Sequence, residues 1–198
     1  SSQAIINKYD KSGKILLFLD EVLIYNKKVN LVSRETKRDG LIKIASDCLA
    51  PFELMPGPSG DIFDIGPGGG FPSIILLLSF PELKGVLFER TEKKARFLKQ
   101  AIKEFGIYAE VITGDFIENV RKYRESSFDY GFMKYVKIDK DILTGITTIL
   151  KPGGRFIYYS RFEGNQISVP KALEAGSLSY YLDDDPRLRT ITIISSKK

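Results

Sequence analysis

The residues of this chain with the clearest chemical potential lie in one short stretch, Asp64-Ile65-Gly66-Pro67-Gly68-Gly69-Gly70-Phe71-Pro72. Glycines at this density let the backbone turn sharply and let a ligand approach without a Cβ in the way. A helix opening after the loop would add unpaired N–H groups and a positive dipole end. The dinucleotide fingerprint needs a small residue at the sixth position of G-x-G-x-x-G, where this chain has Phe71 followed by Pro72. That weighs against a pyrophosphate loop. No Lys-Ser/Thr pair follows the glycines, so a nucleoside-triphosphate P-loop is excluded too. Twenty-five residues after Asp64 comes Glu89, in Phe88-Glu89-Arg90. A carboxylate there can accept hydrogen bonds from both hydroxyls of a ribose.

Other chemistries are absent by residue type. The chain has no histidine, which removes His-based triads, a His general base and His-containing metal sites. The single cysteine, Cys48, cannot form an intrachain disulfide or a thiolate cluster, and this points to a reducing, cytoplasmic setting. Among 198 residues, 30 basic and 25 acidic side chains leave a net charge of +5, a modest tilt towards a polyanionic partner. No strictly apolar run is longer than the five residues Ile74 to Leu78, far below the roughly 20 that span a bilayer, so no membrane association is expected.

The elements that must position the loop follow from periodicity. Residues 14–25 and 36–50 read as amphipathic helices, with Leu16, Leu19, Val22 and Leu23 on one stripe and Leu41, Ile44, Ala45, Cys48 and Leu49 on the other. Cys48 therefore reads as a buried thiol. Pro56-Gly57-Pro58-Ser59-Gly60 is a turn or linker, which sets a boundary between a helical cap (1–55) and a core (56–198) forming one structural unit. Beyond it, strand-type runs at 61–65, 85–88, 109–112, 128–132 and 155–159 alternate with helical stretches, notably Glu92–Phe105. This predicts an α/β fold with a parallel sheet covered on both faces. Residues 178–182 and 190–194 read as a closing antiparallel hairpin, with Asp183-Asp184-Asp185-Pro186 as a solvated turn and no metal site.

An acidic residue before a triple-glycine loop, with a second acid ending the next strand, resembles the class I S-adenosylmethionine methyltransferases, a Rossmann-like fold. Gly114-Asp115 after the third strand strengthens that likeness. More narrowly, the chain resembles the bacterial 16S rRNA guanine-N7 methyltransferases, the glucose-inhibited division protein B family, from about Leu16 to Ile194. Their W-N-K-x-x-N-L-T looks like Tyr25-Asn26-Lys27-Lys28-Val29-Asn30-Leu31-Val32. Their D-[IV]-G-[ST]-G-x-G-[FL]-P-G matches Asp64 to Ser73, with Pro67 and Ser73 as departures. Their D-S-x-x-K-[KR]-x-x-F-L looks like Glu89-Arg90-Thr91-Glu92-Lys93-Lys94-Ala95-Arg96-Phe97-Leu98. Departures fall where substrate would sit. R-H-x-x-D-S becomes Lys43-Ile44-Ala45-Ser46-Asp47-Cys48, and the arginine of G-R-A becomes Asp115. S-R-A aligns with Met133-Lys134-Tyr135, and K-G with Arg161-Phe162. The chain is read as a divergent relative.

The resemblance implies S-adenosylmethionine held by Asp64, Gly66, Gly68, Gly70, Phe71, Glu89, Arg90, Asp115, Phe116, Ile117 and Lys134. It implies Lys134 and Arg161 as the catalytic cations, and Asn26, Lys27, Asn30, Arg34, Asp47 and Tyr135 as substrate contacts. The expected partner is 16S rRNA or a small-subunit precursor, met by a monomer. Guanine N7 carries no proton at neutral pH, so its methylation needs alignment and no general base, which suits a histidine-free chain. In A-form RNA the N7 edge lies in a groove too narrow for side chains, so the target should be splayed out and stacked on an aromatic such as Tyr135. Bases at Lys27, Lys28, Arg34, Lys37 and Arg38 could take phosphates, whereas Lys93, Lys94, Arg96, Lys99 and Lys103 read as a wet helix face. Two alternatives stay open: a different RNA or small-molecule acceptor, and a non-catalytic protein that holds cofactor or rRNA.

Overall fold

The computed structural model describes residues 1–162 and 168–197. Three helices lead the chain: α1 (Ser2–Tyr9), α2 (Lys14–Asn26) and α3 (Arg38–Leu49), the last running into a 3-10 turn at Ala50–Glu53. Then β1 (Asp61–Ile65), α4 (Ser73–Ser79), β2 (Lys84–Glu89), α5 (Glu92–Phe105), β3 (Ala109–Thr113), α6 (Phe116–Val120), β4 (Phe128–Met133), α7 (Lys140–Ile149) and β5 (Leu150–Tyr158) alternate. The chain closes with β6 (Leu173–Leu182) and β7 (Asp185–Ser196). The seven strands lie in the order β3-β2-β1-β4-β5-β7-β6. The first five are parallel, and β7 runs antiparallel between β5 and β6. The order reverses between β1 and β4, which opens a crevice beyond the carboxyl ends of these strands.

Strand alternation sends side chains to two apolar layers. On one face Ile62, Leu87, Phe132 and Ile157 meet α1–α5, through residues such as Phe18, Leu41, Ile74 and Leu98. On the other, Phe63, Phe88, Met133 and Phe156 meet α6 and α7 through Phe116, Val120, Leu143 and Ile146. Residues 1–55 thus share a core with the sheet, and 56–60 connects two parts of it.

Three readings change. Helix α1 has no counterpart in the periodicity. The hairpin strands are longer than 178–182 and 190–194. The acidic run is not a wholly solvated turn: Asp185 opens β7 and is 5% exposed. Alternate residues share a face in a strand, so Arg187 and Arg189 both reach its carboxylate, and that charge pairing permits burial. Asp184 accepts hydrogen bonds from the Ser2 N–H and hydroxyl. No helix among the described residues is long and apolar enough to cross a membrane.

Candidate active site

The glycine loop joins the end of β1 to the start of α4. Gly66 (φ +71°) donates its N–H to the Phe88 carbonyl at 2.9 Å, and a Cβ there would sit 2.7 Å from Val136 Cγ2. Gly68 (φ +57°) is different: a Cβ there would meet nothing nearer than the Gly66 carbonyl oxygen at 4.0 Å, so it would project into the crevice. Glu89 ends β2 at 5% exposure. Its Oε2 accepts from the Gly68 N–H at 2.9 Å and its Oε1 from the Thr91 N–H at 2.8 Å. Two backbone donors therefore fix both oxygens of this carboxylate against the crevice wall. After β3, Asp115 caps α6 by accepting the Ile117 N–H at 2.8 Å. Phe116 behind it packs 5.2 Å edge-on to Phe88.

These groups surround a cleft of about 760 Å³ that includes Gly66, Gly68, Phe71, Glu89, Arg90, Asp115, Phe116, Ile117, Lys134 and Tyr135. At its far wall Lys134, 6% exposed, places Nζ 4.7 Å from the Tyr135 ring centre and 4.8 Å from that of Tyr159. Tyr135 has φ +62° and is 74% exposed. A left-handed, solvent-facing tyrosine at the end of a central strand is a strained backbone position of the kind found at functional sites. Lys134 also lines a second pocket of about 330 Å³ with Asp47, Tyr159, Arg161, Tyr180 and Arg189. Asp47 is ion-paired with Arg189, whose guanidinium also bonds Asp185 at 2.9 Å. Burial raises the Asp47 pKa, against the opposing pull of Lys134 and Arg189.

Several expected site residues lie elsewhere. Asp64 is fully buried, and its Oδ2 accepts the Ser73 N–H at 3.2 Å, tying β1 to the start of α4 behind the cleft wall. Burial pushes its pKa up to about 8. Gly70 faces the core, where a Cβ would lie 2.7 Å from Phe18 Cζ. Asn26 is buried at 7% and spends its amide internally: its Oδ1 accepts from the Leu31 and Val32 N–H groups at 2.9 and 3.1 Å. Its Nδ2 donates to the Ser33 carbonyl. Asn30 accepts from Arg34 Nε at 3.0 Å, and neither of them nor Lys27 lines the cleft. Arg38 is tied to Asp20. Cys48 is fully buried with its thiol pKa pushed up to about 12 by burial, an inert core thiol.

Other residues join the site unannounced. Lys94, read from the sequence as part of a wet helix face, instead lines the cleft from the first turn of the helix after Glu89. Tyr159 donates its hydroxyl to the Cys48 carbonyl at 2.6 Å, and Tyr180 to that of Asp47 at 3.2 Å, which locks the end of α3 over the second pocket. Neither of these tyrosines carries a sequence signal.

Residues 11–172 match the protein family described as rRNA small subunit methyltransferase G. A ribosomal RNA small subunit methyltransferase G from Oenococcus oeni is 32% identical, the alignment covering 93% of this chain and 84% of that protein. One from Psychrobacter cryohalolentis is 39% identical over 93 residues, 47% of this chain and 38% of its own length. This chain therefore spans less than half of the Psychrobacter relatives it matches. Among solved structures, the O-methyltransferase TomG from Streptomyces achromogenes, in complex with SAM, superposes with TM-score 0.65 at 14% identity. That match covers 91% of this chain and 90% of that one, and it shows a shared fold.

Proposed function

The chain belongs to the rRNA small subunit methyltransferase G family, and from that premise we propose that it uses S-adenosylmethionine to methylate N7 of a guanine in small-subunit (16S) ribosomal RNA. The observation that carries this reading is the Glu89 carboxylate, held by the Gly68 and Thr91 N–H groups at the wall of the glycine-lined cleft. Each Oε has one protein donor and retains acceptor capacity for a hydroxyl, which is what the two ribose hydroxyls of a nucleoside need. The fit extends to the open space beside Gly68, which a Cβ would fill, and to a volume within the usual range of about 300–1,000 Å³ for small-molecule sites.

Bound there, S-adenosylmethionine would supply an electrophilic methyl group for transfer to N7, the electron pair of its bond to sulfur staying with the sulfur. The protein's own part is placement. Glu89 and Gly68 fix the nucleoside end, and Asp115, Phe116 and Ile117 border the adjoining wall where a purine would lie. Lys134 brings a positive charge to the junction of the two cavities, at the carboxyl end of β4. Tyr135 offers its ring as a platform for an unstacked base. No residue has to remove a proton from N7, so the absence of histidine costs nothing here. The partner is 16S rRNA or a small-subunit precursor, met in the cytoplasm by a monomer.

The reading is tested by calorimetry and by mapping methylated nucleotides. The wild type should bind S-adenosylmethionine, and Glu89→Ala should weaken binding about 10- to 150-fold, the worth of one charge-assisted hydrogen bond. Methyl groups transferred to 16S rRNA should appear at a guanine that cleaves after borohydride and aniline treatment. Absence of cofactor binding, or methylation at another atom, overturns the proposal.

A further inference from the structure

We propose that the outer face of the C-terminal hairpin binds single-stranded rRNA beside the target, with a neighbouring base stacked on Tyr181 next to Leu188. This inference rests on the rRNA methyltransferase reading above. Pairing of β5 with β7 ends at Tyr158 and Thr192, so residues 185–191 and their partners in β6 run on past the carboxyl end of β5. The hairpin tip therefore stands at the end of the sheet where the cleft opens. It is held there from its inner side. Tyr180 donates its hydroxyl to the Asp47 carbonyl, and Arg189 pairs with Asp47 and Asp185.

Strand alternation sends the other set of side chains outward. Tyr180 and Leu182 are buried at 8% and 3% exposure, whereas Tyr181 between them is 62% exposed. On the facing strand Leu188, next to Tyr180's ladder partner Arg189, is 53% exposed. Ser179 and Thr190, one cross-strand pair nearer the sheet, join their hydroxyls at 2.9 Å. This stretch of the face is uncharged and ends in an aromatic ring and an aliphatic side chain. The acids of the turn are taken up elsewhere: Asp183 and Asp184 accept hydrogen bonds from Ser1 and Ser2, and Asp185 pairs with Arg187 and Arg189. Leu188 and Thr190 also line the second pocket beside Arg161 and Lys134, and Lys134 is shared with the cofactor cleft. A strand of RNA whose target base enters the cleft can therefore continue past these two cations onto the hairpin. An exposed ring on a sheet face, with cations beside it for the phosphates, is the arrangement that holds single-stranded nucleic acid by stacking. Tyr181 and Leu188 lie outside the residues 11–172 that match the family, so the family match assigns them no part.

The test is fluorescence anisotropy of a labelled 16S rRNA fragment that contains the guanine mapped above. One base stacked on an aromatic side chain sets the expected effect: Tyr181→Ala should weaken binding about 5- to 150-fold. Tyr181→Phe should keep the wild-type affinity. In Tyr181→Ala the slope of log affinity against log salt should stay as in the wild type, because stacking releases no counterions. The calorimetric affinity for S-adenosylmethionine and the thermal midpoint should stay as well. Replacing each nucleotide flanking the guanine in turn by an abasic one should reveal a position that weakens the wild type and leaves Tyr181→Ala unaffected. Equal affinity of Tyr181→Ala and wild type, or the lack of such a position, overturns the inference and leaves the methyltransferase reading intact. So does a wild type that sediments as a dimer which Leu188→Ala dissociates, since the face would then meet a second copy of the chain. A wild type that binds the cofactor but no 16S rRNA overturns both.

Discussion

Two carboxylates bracket the glycine loop, and their surroundings give them opposite tasks. Glu89 sits at the cleft wall with a backbone donor on each oxygen. Asp64 has no exposure, and its Oδ1 and the Ser73 hydroxyl oxygen are both buried without partners. Burial lifts its pKa from the ordinary 3.8 to about 8, so the folded protein keeps a proton there that the unfolded chain has released. A carboxyl whose folded pKa is raised favours the fold most below its unfolded value, and that contribution is lost as pH rises from about 4 to about 8. Asp64→Asn, which carries no titrating group, should therefore flatten the decline in denaturation midpoint across this window. An unchanged pH slope in the variant would mean that Asp64 is ionised in the folded protein. The sequence marks Asp64 as chemically interesting by its place before the glycines. It does not say that the carboxyl points back into the core, because side-chain direction at a strand end depends on which face α4 covers.

At the scale of elements, the loop after α2 shows how a polar motif can be structural. Tyr25 packs its ring 5.0 Å from Phe97, and Asn26 turns inward to accept the Leu31 and Val32 N–H groups. The segment so folded supplies Leu31, Val32 and Ser33 to the cleft rim. The Leu31 carbonyl oxygen lies only 3.1 Å from where a Cβ on Gly69 would be. In Asn26→Ala the Val32 N–H loses its acceptor, and the Leu31 N–H keeps only the Val29 carbonyl. Urea denaturation should show a loss of about 1–3 kcal/mol, and calorimetry a weaker cofactor affinity although position 26 touches no ligand. Full stability in the variant would show that the loop folds without this amide. Helices α2, α3 and α5 are legible in the sequence because each buries one stripe of a 3.6-residue period. Helix α1 is not, since it buries only Ser2 and Ile6. The first half of β6 is mostly exposed and carries Gly176 and Ser177, so its pairing with β7 rests on the backbone ladder and leaves no apolar alternation to read.

Over the whole molecule, the distribution of charge decides how a polyanion would be met. The excess of five positive charges is small, but many acids are already committed: Asp20 to Arg38, Glu53 to Lys8, Asp61 and Asp129 to Lys151, Asp47 and Asp185 to Arg189. Among the described residues, Arg90, Lys94 and Lys137 at the cleft and Arg161 at the second pocket form no ion pair. Neither do Lys27, Lys28, Arg34 and Lys37, exposed on the loop that borders the cleft. Unpaired cations thus flank the crevice beyond the carboxyl ends of the strands, where a phosphate backbone would run while one base enters. If three to five of them replace condensed counterions on RNA, the slope of log affinity against log salt should be about −2 to −4. Fluorescence anisotropy of a labelled 16S rRNA fragment between 50 and 300 mM potassium chloride, roughly the range over which such slopes are read, measures it. Replacing Lys94 or Lys137 by Gln should reduce the slope by about one each and weaken binding to matched and mismatched RNA alike. Replacing Lys99, on the wet face of α5 and hydrogen-bonded to Thr113, should leave the slope as it was. A flat salt response in the wild type would point to a small, uncharged acceptor, and the basic rim would then have no part in substrate capture.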